Sequence, residues 1–457
     1  MGLIGIYNHP EAAKMAYFGL YAQQHRGQES CGILTWDGAR QLDYRGLGLV
    51  PDVFNEDILN KLPGRIAVGH VRYGNKRQQL LRNAEPFCVR HGDLDLAVAH
   101  NGALVNSNVL RQKLENEGAI FHTDTDSELM VHLIILHLGK HDLVEAVRRA
   151  CLEVEGAYCF LILANDTLIA ARDPYGVRPL SLGKTGDTLV IASETCALDL
   201  LDAGDLGTIE PGEMLIIDKN GISRESLGIT APRRHCIFEL VYFARPDSIV
   251  FDEEVYSCRK RMGNQMSIES TPDADFVLPF PDSGVYCALG FAQQSGLPYE
   301  HAIIRNHYVG RTFIQPTQEM RNFGVRVKLN PVRGFLRNKR VILADDSIVR
   351  GTTIRTRARH LRELGVKEVH FRVSSPPVTH PCFYGVDFPS RKELIASSQG
   401  KDEIEKFIGL DSLEYLSIEG LRKTVSHPDN FCYACFTGEY PIRCPGCEPD
   451  DDSNDEE

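Results

Sequence analysis

A strand–helix–strand run in residues 339–375 constrains the fold of this chain more than any other feature. It consists of the apolar segment KRVILADD, the helical segment IRTRARHLRELG and a second apolar segment, KEVHFRVSS. In the helical segment, apolar residues recur on one face from Ile354 to Leu364, and Gly365 ends the pattern. Two buried strands joined by an amphipathic helix form a βαβ unit, which predicts an α/β domain with a parallel sheet.

The first half of the chain has a different pattern. Short apolar runs bounded by Gly, Asn and Asp, such as RIAVGHVRY, DLAVAHNGAL and CFLILAND, predict many strands, and SELMVHLIILHLGK predicts a helix. We therefore expect stacked sheets flanked by helices in residues 1–232 and a second domain in residues 233–441. Residues 442–457 are acidic and poor in apolar side chains, which predicts a disordered tail.

Charge and cysteine usage narrow the class of protein. A formal net charge of -12 argues against a nucleic-acid-binding protein. The chain has no apolar run long enough to span a membrane and no secretory leader, so we expect a cytoplasmic protein with no membrane partner. Its 13 cysteines are an odd number scattered over a long chain, which is not typical of a disulfide framework. We expect most of them, Cys31 included, to be core residues.

The segment VILADDSIVRGTT, residues 341–353, predicts a ligand site. Two acidic residues, Asp345 and Asp346, follow a strand, and a short loop leads into a helix. Backbone amides at a helix N-terminus favour a phosphate, whereas the two carboxylates would repel it. The carboxylates instead suit sugar hydroxyls and a Mg²⁺ ion, so the pattern predicts a phosphorylated ribose. The alternative is an Asp-rich turn that only caps the helix.

Longer motifs extend this interpretation over most of the chain. The segments CIFELVYFARPDS, PFPDSGVYCALGFAQQSGLPYE, YVGRTFIQPTQ, KLNPVRG, PCFYGVDFPSRKELIA and FCYACFTGEYP resemble those of the glutamine phosphoribosylpyrophosphate amidotransferases. The resemblance implies an α+β N-terminal-nucleophile hydrolase sandwich (αββα), followed by an α/β phosphoribosyltransferase domain. It also implies that the chain makes 5-phosphoribosylamine, the first step of purine biosynthesis. Implied partners are phosphoribosyl pyrophosphate, glutamine or ammonia, purine nucleotide inhibitors, and further copies of the chain in a homodimer or homotetramer.

The resemblance assigns residues of the second half to the phosphoribosyl pyrophosphate site. Mg²⁺ and the pyrophosphate are expected at Ser283, Asp345 and Asp346. The 5′-phosphate is expected at Ser347, Arg350, Gly351, Thr352 and Thr353. Tyr308 and Arg311 belong to a loop, residues 305–313, that is expected to close over the substrate, although the family usually has Arg where His307 stands. Lys328 and Arg333 are expected to contact pyrophosphate; the alternative for both is a solvated surface charge.

The first residue departs from the family pattern. The segments GLIGIYNHPEAA, QHRGQES, VGHVRY, HNGALVN and HTDTDSE resemble the glutaminase domain, whose first residue is a Cys that attacks the glutamine amide. Met1 stands in that position, and a thioether cannot form the thioester intermediate. Three explanations are open: a misassigned or truncated start, a deliberate replacement of Cys, or a protein without glutaminase activity.

The other glutamine-binding positions of the family are present. The resemblance assigns the substrate carboxylate to Arg72, its α-amine to Asp126, and the oxyanion to Asn101 and Gly102. An Asn-Gly pair is also the strongest signal for a hairpin turn, which is the alternative. After VGHVRY the family usually has Ser-Thr, whereas residues 74–75 are Gly-Asn here.

Two CxxC pairs near the C-terminus predict a metal site. The spacing alone allows a Cys₄ zinc site or an iron–sulfur cluster. The Bacillus-like branch of the family binds a [4Fe–4S] cluster, and its ligands correspond to Cys236, Cys382, Cys432 and Cys435. The alternative for these four is unliganded core cysteines. Cys444 and Cys447 lie outside the motif and have no assigned role.

A non-catalytic protein is the rival interpretation. A chain that has lost its nucleophile could sense nucleotides or phosphoribosyl pyrophosphate, or serve as an assembly subunit. Against this, the phosphate loop, the PDSG motif and YVGRTFIQPTQ all persist. A sensor is expected to bind phosphoribosyl pyrophosphate without turning it over.

Overall fold

The computed structural model describes residues 1–74, 80–306, 329–388 and 390–444. Its first sheet has seven antiparallel strands in the order β11-β9-β10-β1-β4-β2-β3. These are β1 (Gly2–Tyr7), β2 (Ser30–Trp36), β3 (Gln41–Leu47), β4 (Ile66–Arg72), β9 (Ser181–Thr185), β10 (Thr188–Ala192) and β11 (Gly204–Thr208). Strand β1 lies in the core, because its residues Leu3, Ile4 and Ile6 are fully buried.

A second antiparallel sheet of six strands has the order β13-β12-β8-β7-β6-β5. These are β5 (Phe87–His91), β6 (Leu94–Leu104), β7 (Gly156–Ala164), β8 (Thr167–Arg172), β12 (Glu213–Asp218) and β13 (Gly221–Ser226). All nine residues of β7 are buried, which matches its nearly uninterrupted apolar sequence.

The two sheets pack face to face between layers of helices. Leu3 and Val68 of the first sheet share one core with Leu161 and Leu215 of the second. Helices α1 (Ala12–Ala22) and α7 (Thr195–Leu200) cover the outer face of the first sheet, beside the short helices α2 (Val50–Val53) and α3 (Glu56–Leu59). Helices α4 (Ser107–Asn116), α5 (Asp126–Leu138) and α6 (Leu143–Glu153) cover the second. This is the predicted αββα sandwich.

The second half of the chain is built on a parallel sheet of four strands in the order β17-β20-β21-β22. These are β17 (Phe276–Pro279), β20 (Arg340–Asp345), β21 (Glu368–Val373) and β22 (Ser412–Tyr415). Helix α11 (Thr352–Glu363) connects β20 to β21, so the βαβ unit predicted from residues 339–375 is confirmed. Helices α8 (Val255–Glu269) and α9 (Val285–Ser295) pack on one face of this sheet, where Met262 and Phe291 meet Ile342.

Shorter elements complete the second half. They are the strands β14 (His235–Cys236), β15 (Ile249–Val250), β16 (Glu253–Glu254), β18 (Ile303–Arg305), β19 (Leu329–Pro331) and β23 (Phe431–Cys432), and the helices α10 (Arg333–Leu336), α12 (Ile395–Ser398), α13 (Lys401–Ile408), α14 (Ile418–Arg422) and α15 (Ala434–Thr437). A π-helical turn, Glu239–Phe243, follows β14. Among the described residues, no helix combines the length and apolar character needed to cross a membrane.

The domain boundaries stay predictions, and two structural facts bear on them. The antiparallel sheets end with β13 at Ser226, and the next strand, β14, pairs with β23 near the C-terminus. Ile442, at the start of the predicted tail, is buried, and its backbone exchanges hydrogen bonds with the hydroxyl of Tyr384. The rest of the predicted tail, from residue 445, lies outside the described residues.

Candidate active sites

Residue 1 lies beside two buried arginines. The Arg26 Nε donates a hydrogen bond of 2.9 Å to the Met1 carbonyl oxygen. Burial, followed by the positive charges of Arg26 and Arg178, lowers the pKa of the Met1 α-amine well below its ordinary value. This environment favours the neutral form of the amine, which is the form that can accept a proton.

Arg72, the last residue of β4, has an unused donor. Its Nη1 donates to the Asn83 carbonyl oxygen at 3.3 Å and to Glu85 Oε1 at 3.5 Å. Its buried Nε has no hydrogen-bond partner among the described residues, and neither does the buried Oε2 of Glu29. A Cβ at Gly74 would lie 2.4 Å from that Glu29 oxygen, so Glu29 occupies the space that a larger residue 74 would need. Asn75 lies outside the described residues.

Asn101 and Gly102 lie inside a strand. They are part of β6, where they face Cys159 and Tyr158 of β7, so the hairpin-turn alternative is excluded. The Asn101 Nδ2 donates to Ser193 Oγ at 3.5 Å. Gly102 has φ +150°, at the edge of the region that favours glycine.

Asp126 is the first residue of α5. Its Oδ2 accepts a hydrogen bond of 3.1 Å from the Leu104 amide and lies 3.5 Å from His100 Nδ1. Burial raises the pKa of Asp126 to about 6, although the Leu104 amide and the charge of Arg72 oppose this rise. Burial also lowers the pKa of His100 to about 3, so this imidazole is neutral near pH 6.

Glu85 belongs to the same site, and sequence reasoning missed it. Its Oε2 accepts 2.8 Å hydrogen bonds from the His100 amide and from Ser127 Oγ. Burial raises its pKa to about 7, against the charge of Arg72. No local sequence signal marks this residue, because its partners come from β4, β6 and α5.

The second candidate site lies at the carboxyl end of β20, the usual place for ligands of a parallel sheet. Asp345 Oδ1 accepts hydrogen bonds from Ser283 Oγ at 2.7 Å and from the Asp346 amide at 2.9 Å. Burial, together with the neighbouring Asp346, raises the pKa of Asp345 well above its ordinary value. The hydroxyl of Ser347 donates to Asp346. Two adjacent buried carboxylates are costly unless a cation accompanies them.

The loop after Asp346 leads into α11. Gly351 is the N-cap of this helix with φ +70°, and within the described part of the chain no side-chain hydrogen bond is found at this cap. The alternative of an Asp-rich helix-capping turn is therefore excluded. Thr352 and Thr353 form the exposed first turn, and Arg350 makes a 2.7 Å salt bridge with Glu393.

Of the remaining predicted contacts, only Arg333 lies within the described residues. Arg333 is exposed at the first residue of α10. Tyr308, Arg311 and Lys328, together with His307, lie outside the described residues. Their assigned roles stay predictions.

Four cysteines converge where the C-terminal segment meets the body of the chain. Cys236 and Cys432 are opposite each other in the parallel pair of β14 and β23. Cys236 and Cys432, together with Cys382 and Cys435, are free thiols. Burial raises the pKa of Cys435, and negative charge on the other three thiols raises it further. Within the described residues, no three His, Cys, Asp or Glu are grouped closely enough to hold a single metal ion. A four-iron cluster binds each cysteine through a separate iron, so it needs wider spacing than one ion does.

Comparisons with known proteins identify the family. Residues 55–200 match the model of a glutamine amidotransferase domain. The amidophosphoribosyltransferase of Bacillus subtilis is 46% identical over 446 residues, which cover 96% of this chain and 94% of that protein. The chain belongs to the amidophosphoribosyltransferase family. A chloroplastic amidophosphoribosyltransferase 1 of Arabidopsis thaliana is 47% identical over 445 residues, 97% of this chain and 78% of that protein.

A solved amidophosphoribosyltransferase structure has the same fold over both halves. The glutamine phosphoribosylpyrophosphate amidotransferase of B. subtilis, complexed with ADP and GMP, superimposes with a TM-score of 0.92 at 45% identity, covering 98% of each chain. This confirms the predicted fold class, an N-terminal-nucleophile hydrolase domain followed by a phosphoribosyltransferase domain.

In this family member, a buried ionic network that the sequence did not predict joins the two halves. Glu239, in the π-helical turn, accepts from Arg178 Nη1 at 2.8 Å and from both terminal nitrogens of Arg26. Arg26 also pairs with Glu194, whose other oxygen accepts from the backbone amide of Arg245 at 2.8 Å. All of these side chains except that of Arg245 are buried.

Proposed function

We propose that this chain is an amidophosphoribosyltransferase, which forms 5-phosphoribosylamine from phosphoribosyl pyrophosphate and ammonia. The observation that carries the proposal is the 46% identity to the B. subtilis amidophosphoribosyltransferase over nearly the whole length of both chains. In this reaction a C–N bond forms at the ribose, the C–O bond to pyrophosphate breaks, and ammonia gives up a proton. We place the protein in the cytoplasm, where its thiols stay reduced.

The first half supplies the glutamine site in this proposal. The unused Nε of Arg72 receives the glutamine carboxylate, and Asp126 receives its α-amine. Asn101 and Gly102 stabilise the oxyanion that forms at the amide carbon. Residue 1 is the nucleophile position and its amine the base. A thioether cannot attack the amide, so a chain with Met1 in this position uses free ammonia, whereas a chain with Cys there uses glutamine.

The second half supplies the phosphoribosyl pyrophosphate site. Asp345, Asp346 and Ser283 fit a Mg²⁺ ion, because oxygen ligands suit this ion and its charge would offset two buried carboxylates. When bound, Mg²⁺ neutralises charge on the leaving pyrophosphate. The backbone amides at the start of α11, with Ser347, Arg350 and Gly351, hold the 5′-phosphate. Thr352 and Thr353 add hydroxyl donors.

We further propose that Cys236, Cys382, Cys432 and Cys435 hold a [4Fe–4S] cluster. Their free thiols and mutual electrostatic interaction fit such a group; Cys236 and Cys435 are buried, and Cys382 and Cys432 are half-buried. The cluster would fasten the C-terminal segment to β14 and thereby act structurally. Association into a homodimer or homotetramer and inhibition by purine nucleotides are part of the proposal. The inhibition is supported by the B. subtilis relative, whose solved structure is a complex with ADP and GMP.

The test measures phosphoribosylamine formation with phosphoribosyl pyrophosphate and Mg²⁺, comparing glutamine with ammonium chloride at alkaline pH. We expect turnover with ammonium chloride and none with glutamine. A chain in which Cys replaces Met1, made by placing Cys after the initiator methionine, is expected to gain the glutamine-dependent reaction. Binding of phosphoribosyl pyrophosphate without turnover on either nitrogen source would contradict the proposal and favour a sensor.

A further inference from the structure

We infer that a loop of the second half, residues 382–385, sets the position of Gly102 relative to residue 1, with Gly385 as the positioning residue. The inference rests on the proposed role of Gly102 in the glutamine site. It explains why a loop that carries one of the four clustered cysteines lies against the first half of the chain.

Gly385 packs directly on the backbone of Gly102. A Cβ at residue 385 would lie 2.8 Å from the carbonyl carbon and oxygen of Gly102 and 3.0 Å from its Cα. These are backbone atoms, so they cannot rotate away as the end of a side chain could. Any residue larger than glycine at 385 must therefore displace either the loop or the Gly102 peptide.

Gly102 is confined from its other side as well. A Cβ at residue 102 would lie 2.0 Å from the carbonyl oxygen of Ala157 in β7. The Gly102 peptide is thus held between β7 of its own sheet and Gly385 of the second half. The orientation of the Gly102 peptide therefore depends on the position of the loop 382–385.

The loop is anchored through Tyr384. The carbonyl oxygen of Tyr384 accepts a 3.1 Å hydrogen bond from Arg178 Nε. Its hydroxyl donates to the Ile442 carbonyl oxygen at 2.6 Å, and its amide lies 3.4 Å from Cys382 Sγ. The side chain is 2% exposed. The loop is therefore held by Arg178 on one side and by the C-terminal segment on the other.

The same contacts continue to residue 1. Arg178 Nη1 donates to Glu239, Glu239 accepts from Arg26, and Arg26 Nε donates to the Met1 carbonyl oxygen. One buried series of contacts thus joins the nucleophile position to the oxyanion position through the second half. Amide hydrolysis needs the oxyanion donors close to the carbon that the nucleophile attacks, and small displacements there cost rate.

The first test replaces Gly385 with Ala in the chain with Met1 and measures backbone hydrogen–deuterium exchange. Gly409→Ala is the matched control, because Gly409 has a similar φ of +85° but open space around its Cβ position. We expect faster exchange in residues 100–104 in Gly385→Ala and unchanged exchange there in Gly409→Ala. Unchanged exchange at residues 100–104 in Gly385→Ala would overturn the inference.

The second test places Gly385→Ala in the chain with Cys in place of Met1. We expect kcat for glutamine to fall about 100-fold, with KM for glutamine and the ammonia-dependent rate nearly unchanged. An equal loss in Gly409→Ala, or an unchanged kcat for glutamine, overturns the inference. If the chain with Cys in place of Met1 and with Gly385 intact shows no glutamine turnover, the proposed function is contradicted instead. The exchange measurement still decides whether Gly385 positions Gly102.

A milder variant covers the case in which Gly385→Ala fails to fold. Tyr384→Phe removes the hydroxyl that holds Ile442 but keeps the ring and the carbonyl bond to Arg178. We expect faster exchange at residues 100–104 and a smaller fall in kcat for glutamine, with ammonia-dependent turnover retained. No change in either measurement would refute the loop's role.

Discussion

Arg26 and Glu239 lie 213 residues apart in the chain and form a buried two-pronged ion pair. The Arg26 Nη1 and Nη2 donate to the two carboxylate oxygens of Glu239 at 2.9 and 2.7 Å, and both side chains are fully buried. Arg178 contacts the same carboxylate at 2.8 Å. Two buried arginines therefore share one acidic residue of the other half, and Arg26 also pairs with Glu194 of its own half.

Glu239→Gln is expected to destabilise the chain strongly. Removing this charge leaves two buried guanidinium groups short of compensation, which costs about 3–5 kcal/mol of unfolding free energy when a buried pair is broken. Urea denaturation measures the change. The matched control is Glu210→Gln, which breaks an exposed 3.0 Å pair with Arg233 and should change the free energy by less than about 1 kcal/mol. Similar effects in the two variants would contradict the prediction.

Glutamine affinity is expected to rise with pH through the pKa of Asp126. This carboxyl must be charged to hold the glutamine α-amine, and burial raises its pKa to about 6. Below that value we expect the Kd for glutamine to increase about tenfold per pH unit, as measured by isothermal titration calorimetry between pH 5 and 8. Asp126→Asn should bind weakly, without this pH dependence. An affinity of the unaltered chain that does not change over this range would count against the assignment.

Asp345→Asn is expected to separate stability from function. The pKa of Asp345 is raised in the folded state. The contribution of this residue to stability is therefore fully present below its unfolded-state pKa, and it is lost as the pH rises through its folded-state pKa. At pH 8 without Mg²⁺, the variant should therefore melt no lower than the unaltered chain. It should gain no thermal stability from Mg²⁺ with phosphoribosyl pyrophosphate, and it should lose activity.

Asp275→Asn is the control for that experiment. The backbone amide of Arg340 lowers the pKa of Asp275, so the sign is opposite and this replacement should lower the melting temperature. Its response to Mg²⁺ and phosphoribosyl pyrophosphate should match that of the unaltered chain. If Asp345→Asn retained the ligand response, Asp345 would have no place in the metal site.

Cys435→Ala is expected to remove the proposed cluster. After anaerobic purification, the unaltered chain should contain about four irons and an equal amount of acid-labile sulfide per chain. The variant should contain neither, whereas Cys151→Ala, in the core beside α5, should retain both. Zinc in place of iron would support the alternative that the CxxC spacing left open. No bound metal in the unaltered chain would support unliganded core cysteines.

Much of the fold was predictable because its signals are local. The apolar runs of β6, β7 and β20 and the one-sided pattern of α11 predict strand and helix without knowledge of their neighbours. The acidic pair at the end of β20 was also predictable, since a strand followed by two carboxylates and a helix start is a local arrangement. The glutamine site was harder to predict from the sequence. The pair Asn101-Gly102 is compatible with a hairpin turn until its position within β6 is known.

The sequence by itself determined the family, the two kinds of sheet and the chemical character of each site, because these depend on motifs and periodicities within short segments. Only the tertiary structure decided that Glu85 joins Arg72, that Glu239 compensates Arg26 and Arg178, and that Gly385 lies against Gly102. These contacts depend on how sheets and loops from distant parts of the chain pack together. No local pattern records a distance between two backbones or the environment that shifts the pKa of a buried carboxyl group.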